Sequence, residues 1–471
     1  MTMPWRATGT GSGGRSKHGQ LLLAGAGVIV LESLFLVLYH FHHLERHVVG
    51  SISVGLGAGI VYFVALYALE HSRAHRATIW IVIAGAVLFR LTLLPLKPSL
   101  SNDPYRYHWD GVVQLAGYNP YLVSPDKLAI GVRMTPNGHR LPAHQIPNIY
   151  PPLAELVFRA AARLFPSTIA FKLPFFLSDV ISVFLLAVCL RRYAKREFRL
   201  AVYAWNPLVI FELSGTGHSD ALAIVMVLVA ILLVRQRIVT STLALAAATL
   251  LKLFPIMLFP LWLRRVGWPR TWKSWVAGMG STALALACFW PYRAALQQIP
   301  KTMHYFVRHW QNNNASLFTL FGKISHSFAW SSGLGEGAVI GLALWAAARR
   351  LEPERAAYLI FGAILLFTPN AYPWYFTWAI PFLCFYFDPA WLLLTVLQFL
   401  AYNPVIAYQA TGNWHWSHSM IFLEYAPFYL WFAWDIMRGK VRLAAPLPAQ
   451  GADRLPFGQE FVLSGSERDN A

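Results

Sequence analysis

Residues 21–39 read LLLAGAGVIVLESLFLVLY, an apolar run broken only by Glu32 and Ser33 before its closing tyrosine. As a helix rising 1.5 Å per residue, this run covers roughly 30 Å, the hydrocarbon thickness of a bilayer. A basic stretch precedes it, as in a secretory signal, but its length, Glu32 and the lack of a small-residue cleavage site mark a retained span. Similar blocks recur near 50–69, 77–96, 168–190, 200–215, 220–234, 238–250, 252–263, 274–292, 337–348, 356–370, 373–387, 389–403 and 420–437. The short pair 238–263, interrupted by Lys252 and Pro255, suits a re-entrant hairpin, which gives about 12 to 14 spans.

The composition agrees with that reading. The 471 residues are 56% hydrophobic and 13% charged, about half the usual charged fraction, which excludes a water-soluble fold. An outer-membrane barrel would need alternating segments of about ten residues, and none is present. The expected class is an all-α polytopic membrane protein without internal repeats. The three cysteines, Cys189, Cys288 and Cys384, fall inside expected spans and suit packing rather than a disulfide framework or a thiolate metal site.

The net charge of +18 would suggest nucleic acid in a soluble protein, but here its placement decides its meaning. Basic residues cluster in short connectors: Arg73 and Arg76; Arg191, Arg192, Lys195, Arg196 and Arg199; Arg235 and Arg237; Arg264, Arg265, Arg270 and Lys273; Arg349, Arg350 and Arg355; Arg438, Lys440 and Arg442. Cytoplasmic loops collect such an excess, so these connectors and a short tail, 1–20, are expected inside, with a transmembrane domain over 21–442 and a disordered cytoplasmic tail over 443–471. No nucleic-acid partner is implied. The same alternation places three large loops outside: 97–167, 293–336 and 404–419.

The polar side chains gather on that outer side. The first loop opens SNDPYRYHWDG from Ser101 and reaches GYNPY at Gly117 to Tyr121, a short helix between stop signals. Asp103 suits its N-cap, with Pro104 at the first helical position. Asp103, Arg106 and Asp110 share one helical face, with the carboxylates about 10 Å apart along the axis. Spacing alone also allows Asp103 to be a cap and Asp110 an ion-pair partner of Arg106. Tyr150-Pro-Pro, Gly217-His-Ser-Asp220, Asn312-Asn-Asn-Ala-Ser-Leu-Phe318 and Tyr372-Pro-Trp-Tyr375 end or line other external turns.

The segments DPYRYHWDGVVQLAGYNPY, YPP, GHSDAL, LKLFP, NNNASLF and YPWY together resemble the bacterial C-type (GT-C) integral-membrane glycosyltransferases, in particular the polyprenyl-phosphate-mannose-dependent mannosyltransferases around glycosyltransferase family 87. The resemblance covers about residues 77 to 437, with two extra amino-terminal spans before the loop where simpler members have one span. It implies a GT-C helix bundle in the bacterial cytoplasmic membrane, an active site on the external, periplasmic face, and a polyprenyl-phosphate sugar donor used with inversion. Such enzymes place a catalytic carboxylate soon after the span before the first long loop; Asp103 matches that place, with Asp110 the alternative.

Elementary chemistry fills in the roles. A sugar hydroxyl needs a base near neutral pH, worth roughly 10²–10⁴ in rate, and Asp103 is assigned that task. Helix amides at an N-cap would hold it ionised and weaken it as a base, which argues for Asp110. The departing lipid phosphate needs cations or donors, for which Lys252, Arg308, His218, Arg293 and His304 are placed. Lys252 stands out because an ionisable group within an apolar hairpin is costly, although a snorkelling lysine would read the same. Tyr105, Arg106, Tyr107, Trp109, Asn119, Tyr150, Asp220, Asn314, Ser316, Tyr372 and Trp374 are candidates for binding the sugar or acceptor. Aromatics at a membrane interface more often serve as simple anchors, and Asn314 and Ser316 also suit capping the next helix.

The acceptor is expected to be a lipid-linked or cell-envelope glycan, and the donor sugar mannose. Competing classes are a lipid-linked oligosaccharide transporter or flippase and an O-antigen-type ligase or polymerase. No resident cofactor is implied; two carboxylates and phosphate oxygens would suit Mg²⁺ or Mn²⁺ at Asp103 and Asp110, but no dedicated metal site is proposed. His415 and His418, between Trp414 and Trp416, have metal-pair spacing but no third ligand. Glu32, Arg90, Lys172 and Glu424 are expected to pair within the bundle.

Overall fold

The computed structural model describes residues 17–71, 76–131, 140–309, 314–411, 414 and 417–438. Among them every regular element is helical. The described residues up to Phe428 form one compact unit, and the described residues 429–438 belong to a second.

The opening run forms α1 (Lys17–His40), followed by α2 (Val48–Glu70) and α3 (Arg76–Leu93). Within the long segment after α3 comes α4 (Asp103–Leu115), which returns through α5 (Pro152–Leu164) to α6 (Leu173–Arg192). After the segment 201–218 come α7 (Asp220–Leu233) and α8 (Ile238–Leu251). By length and hydropathy four helical stretches among the described residues can cross a membrane: Leu21–His40, Val48–Glu70, Thr168–Arg192 and Pro389–Thr411. Shorter apolar helices cover Ala77–Leu93, Pro207–Thr216, Asp220–Leu233 and Ile238–Leu251. The chain is an all-α membrane protein.

Several expected spans are broken rather than continuous. In 200–215, Asn206 turns the chain before Pro207 and accepts the amides of Leu208 and Val209 at 3.0 and 3.3 Å. A π-helix, Ile210–Thr216, follows and ends at Gly217 with φ +90°. A Cβ there would lie 2.6 Å from Lys172 Cδ, so both the backbone and the space require glycine. The expected hairpin breaks where its lysine predicted: α8 stops at an extended Lys252, and Pro255 opens a 3-10 turn before Phe259–Val266. The expected loop 293–336 instead carries helices Gln298–His309 and Ser316–Ser325, and the next helix starts at Phe328, capped by Ser327.

Arg90, Lys172 and Glu32 are paired or bonded within the bundle. Arg90 grips Asp179 with Nε and Nη2 at 2.8 and 3.1 Å, and Tyr203 and Ser214 donate to the same carboxylate. Lys172 donates to the carbonyls of Leu96 and Gly215, and Thr92 donates to Glu32. A charge buried this deeply persists because its partners replace water; removing one would strand the other. Glu424 is buried, and its Oε1 accepts no hydrogen bond among the described residues.

Candidate active site

The helices α4 and α5 set the site. Pro152 starts α5 at a position whose amide is unneeded, and Gly111 lets α4 lie against it: a Cβ at 111 would sit 2.4 Å from Phe158 O. Gln114 of α4 donates to Glu155 Oε2 at 2.7 Å and accepts from Tyr292 at 2.7 Å. These contacts fix α4, and α4 presents Asp103 to a cavity of about 560 Å³.

Asp103 is not the cap its sequence suggested. Asn102 holds the N-cap position without a side-chain bond, and Asp103 is the first helical residue. Its carboxylate instead meets Tyr107 Oη at 3.4 Å and His218 Nδ1 at 4.0 Å. It remains 20% exposed, against 0% for Asp110 and for Asp220. Burial pushes its carboxyl up to about 6, only partly offset by the positive charge of Lys252.

Asp110 lies outside the cavity lining, fully buried, with Arg106 Nε at 3.2 Å from both its oxygens. Arg106 also donates to the carbonyls of Pro142, Ala143 and Ile146, so the pair pins the loop to the helix. The two carboxylates therefore do not converge as a cation cradle. Among the described residues no three His, Cys, Asp or Glu side chains are grouped to hold a metal ion.

Lys252 lines the cavity where α8 breaks. Its Nζ donates to Asp220 Oδ2 at 3.1 Å and stands 5.3 Å from the ring centres of Tyr150 and Tyr375. Asp220 is buried behind it, also accepting Trp378 Nε1 at 2.7 Å, so it orients the lysine rather than reaching a ligand. His218 is buried too, stacked on Trp374 with centroids 4.1 Å apart; Tyr372 stacks on the other side of Trp374 at 4.6 Å. Tyr150, Tyr372 and Trp374 line the cavity.

Other expected site residues lie elsewhere. Tyr105 and Trp109 pack with Val113 and Leu141 in the loop's own core, and Trp109 Nε1 donates to Ile130 O at 2.8 Å. Their amphipathic rings serve the loop, not a sugar. Tyr107 is buried one layer behind the cavity, and Asn119 holds a turn by accepting the Tyr121 amide at 3.0 Å. Arg293 is exposed and covers Trp290; His304 and Arg308 are exposed on Gln298–His309, which turns Met303 and Phe306 to the cavity instead. Asn314 and Ser316 begin the helix Ser316–Ser325 away from the lining. Asn312, Asn313, His415 and Trp416 lie outside the described residues, whereas Trp414 lines the cavity.

Sequence reasoning passed over Glu45, Arg140, His144 and Tyr375, which also line it. Glu45, 5% exposed, sits in a turn after α1 that Ser99 holds by accepting the Leu44 amide at 3.1 Å. The helical break after residue 40 was legible; that it folds back beneath the 97–103 segment was not.

The cavity thus brings together one partly open carboxylate, Asp103, the lysine Lys252 and the aromatic rings of Tyr150, Tyr372 and Trp374. Residues 19–266 match the MptA_B family, alpha-(1->6)-mannopyranosyltransferase, N-terminal domain, and the chain belongs to that family. The family supports mannosyl transfer rather than the transporter reading. No curated protein and no solved structure gives a match.

Proposed function

We propose that the protein transfers a single mannose from polyprenyl-phosphate-mannose to a hydroxyl of a lipid-linked or envelope glycan, with inversion, at the outer face of a bacterial cytoplasmic membrane. Asp103 is the base. The observation that carries this reading is its position: the most open aspartate of α4 faces the cavity with Lys252 across from it, while Asp110 is locked behind. In a direct displacement the acceptor oxygen bonds to the anomeric carbon, its proton passes to Asp103, and the sugar–phosphate bond breaks. Lys252, oriented by Asp220, meets the charge that gathers on the leaving phosphate. Tyr372, backed by Trp374, gives a flat face for a pyranose ring, and Leu253, Phe254, Met303 and Phe306 give apolar lining for the isoprenoid.

The test uses purified protein in lipid with radiolabelled polyprenyl-phosphate-mannose and an envelope-lipid acceptor. Wild type should form a labelled product, and Asp103→Asn should lower kcat by about a hundredfold or more with the donor still bound. Unaltered turnover in the variant would remove Asp103 from the chemistry. Consumption of a different polyprenyl-phosphate sugar would reassign the donor.

A further inference from the structure

Behind Asp103 runs a line of buried polar groups that mannosyl transfer alone does not require. The Tyr107 hydroxyl lies 3.4 Å from Asp103 Oδ2 and 3.5 Å from His218 Nδ1. On the far side of the imidazole, His218 Nε2 lies 3.4 Å from Glu212 Oε2; at rest the two atoms are out of line for a hydrogen bond and neither makes another among the described residues, so a small turn of the ring completes the line, while the other oxygen of Glu212 accepts the Tyr402 hydroxyl. Tyr107, His218 and Glu212 are each at most 0% exposed. The Trp374 ring covers His218 on the cavity side, so the imidazole reaches the substrates only through Tyr107 and Asp103.

The backbone is shaped to make this contact. Glu212 and His218 are six positions apart, and the π-helix between them, closed by the left-handed Gly217, turns the amides of both Gly217 and His218 onto Glu212 O at 3.1 and 3.0 Å. Such wide turns concentrate at functional sites, and the usual 3.6-residue helix would carry the two side chains apart. Burial and the charge of Lys252 both lower the tendency of His218 to take a proton at rest, and burial keeps the Tyr107 phenol protonated. The charged or titratable groups around the imidazole are thus Asp103, Glu212, Tyr107 and Lys252.

We propose that Tyr107, His218 and Glu212 form a proton relay that clears Asp103 while the products still fill the cavity. The inference rests on Asp103 being the base. The acceptor hydroxyl gives its proton to Asp103; Asp103 passes a proton to the Tyr107 oxygen as Tyr107 passes its own to His218 Nδ1; and His218 Nε2 gives its proton to Glu212 Oε2. Asp103 ends ionised, Tyr107 and His218 end neutral with the imidazole in its other tautomer, and Glu212 holds the one proton released. When the products leave, the same line returns the proton to Asp103 and from there to water. Seated products block water from the base, so without the relay a protonated Asp103 would sit against the new glycosidic oxygen, poised for the reverse step.

The test is a double-mutant cycle on transfer, with Tyr107→Phe, Glu212→Gln and the double variant, each checked for monodispersity and donor KM. The relay requires each single variant to lose at least tenfold in kcat at unchanged donor KM, and the double variant to be no worse than about threefold below the weaker single. Members of one path fail as a unit, whereas independent packing defects multiply. Singles within threefold of wild type, or losses that multiply, overturn the relay. If Glu212→Gln does not fold, His218→Asn takes its place in the same cycle with the same criteria. Asp103→Asn is run alongside: an active Asp103→Asn would sink the base assignment, whereas an inactive one beside wild-type-like Tyr107→Phe would sink only the relay.

Discussion

Two aspartates on one helix, seven positions apart, have opposite environments. Asp103 must be ionised to accept a proton, and burial raises its carboxyl to about 6. Transfer should therefore be level above that pH and fall about tenfold per unit below it, a limb that a pH–rate profile of kcat reads directly. A profile level down to pH 4.5 would separate the rate from this group. Asp110 answers to a different measurement. Asp110→Ala leaves the Arg106 guanidinium buried without its carboxylate, and should cost about 3 kcal/mol of stability, seen as a lowered thermal midpoint in detergent. The sequence showed that Asp103, Arg106 and Asp110 share a face, because that follows from helical period alone. Which end of the face meets the cavity depends on where α5 packs, and one helix's spacing holds no record of that. Glu212 was hidden for a related reason: inside IFELSG it reads as one more polar residue in an apolar run, and its partner His218 falls into register only through a π-turn that no periodicity announces.

At the level of elements, α4 and α5 behave as one part. Gly111 is where they touch, and Ala at that position would drive a methyl to 2.4 Å from a backbone carbonyl that cannot rotate away. Gly111→Ala should destabilise by about 2 kcal/mol and lower kcat, since separating the helices shifts Asp103 relative to Lys252; a thermal melt with a transfer assay checks both. The helical starts at Pro104 and Pro152 were readable from proline and its neighbours, as were the breaks at Lys252 and Pro255. The helices within 293–336 were missed because the polar Asn run and the Ser-Gly content dominate the local composition, while apolar faces at Met303, Phe306 and Phe318 are spaced too sparsely to register as spans.

For the molecule as a whole, the basic connectors and the cavity residues are assigned to opposite sides of the bilayer. His144→Cys, at the cavity, should be labelled by an impermeant thiol reagent added outside intact cells, and Arg350→Cys only after lysis. The native Cys189, Cys288 and Cys384 are all buried, so the background is low. Labelling of both from outside would overturn the inside placement of that connector. The cavity itself has two unlike walls: Leu253, Phe254, Met303, Phe306 and Val405 on one hand, and Glu45, Arg140 and His144 on the other. A donor whose tail is seated against the first of these arrives from within the lipid, so the quantity that governs its supply is two-dimensional. At constant bulk donor and protein, adding inert phospholipid should slow the reaction in proportion to the fall in donor mole fraction, while enlarging the aqueous volume should leave the rate per enzyme unchanged. The enzyme would then respond to the crowding of its leaflet rather than to the contents of the surrounding water.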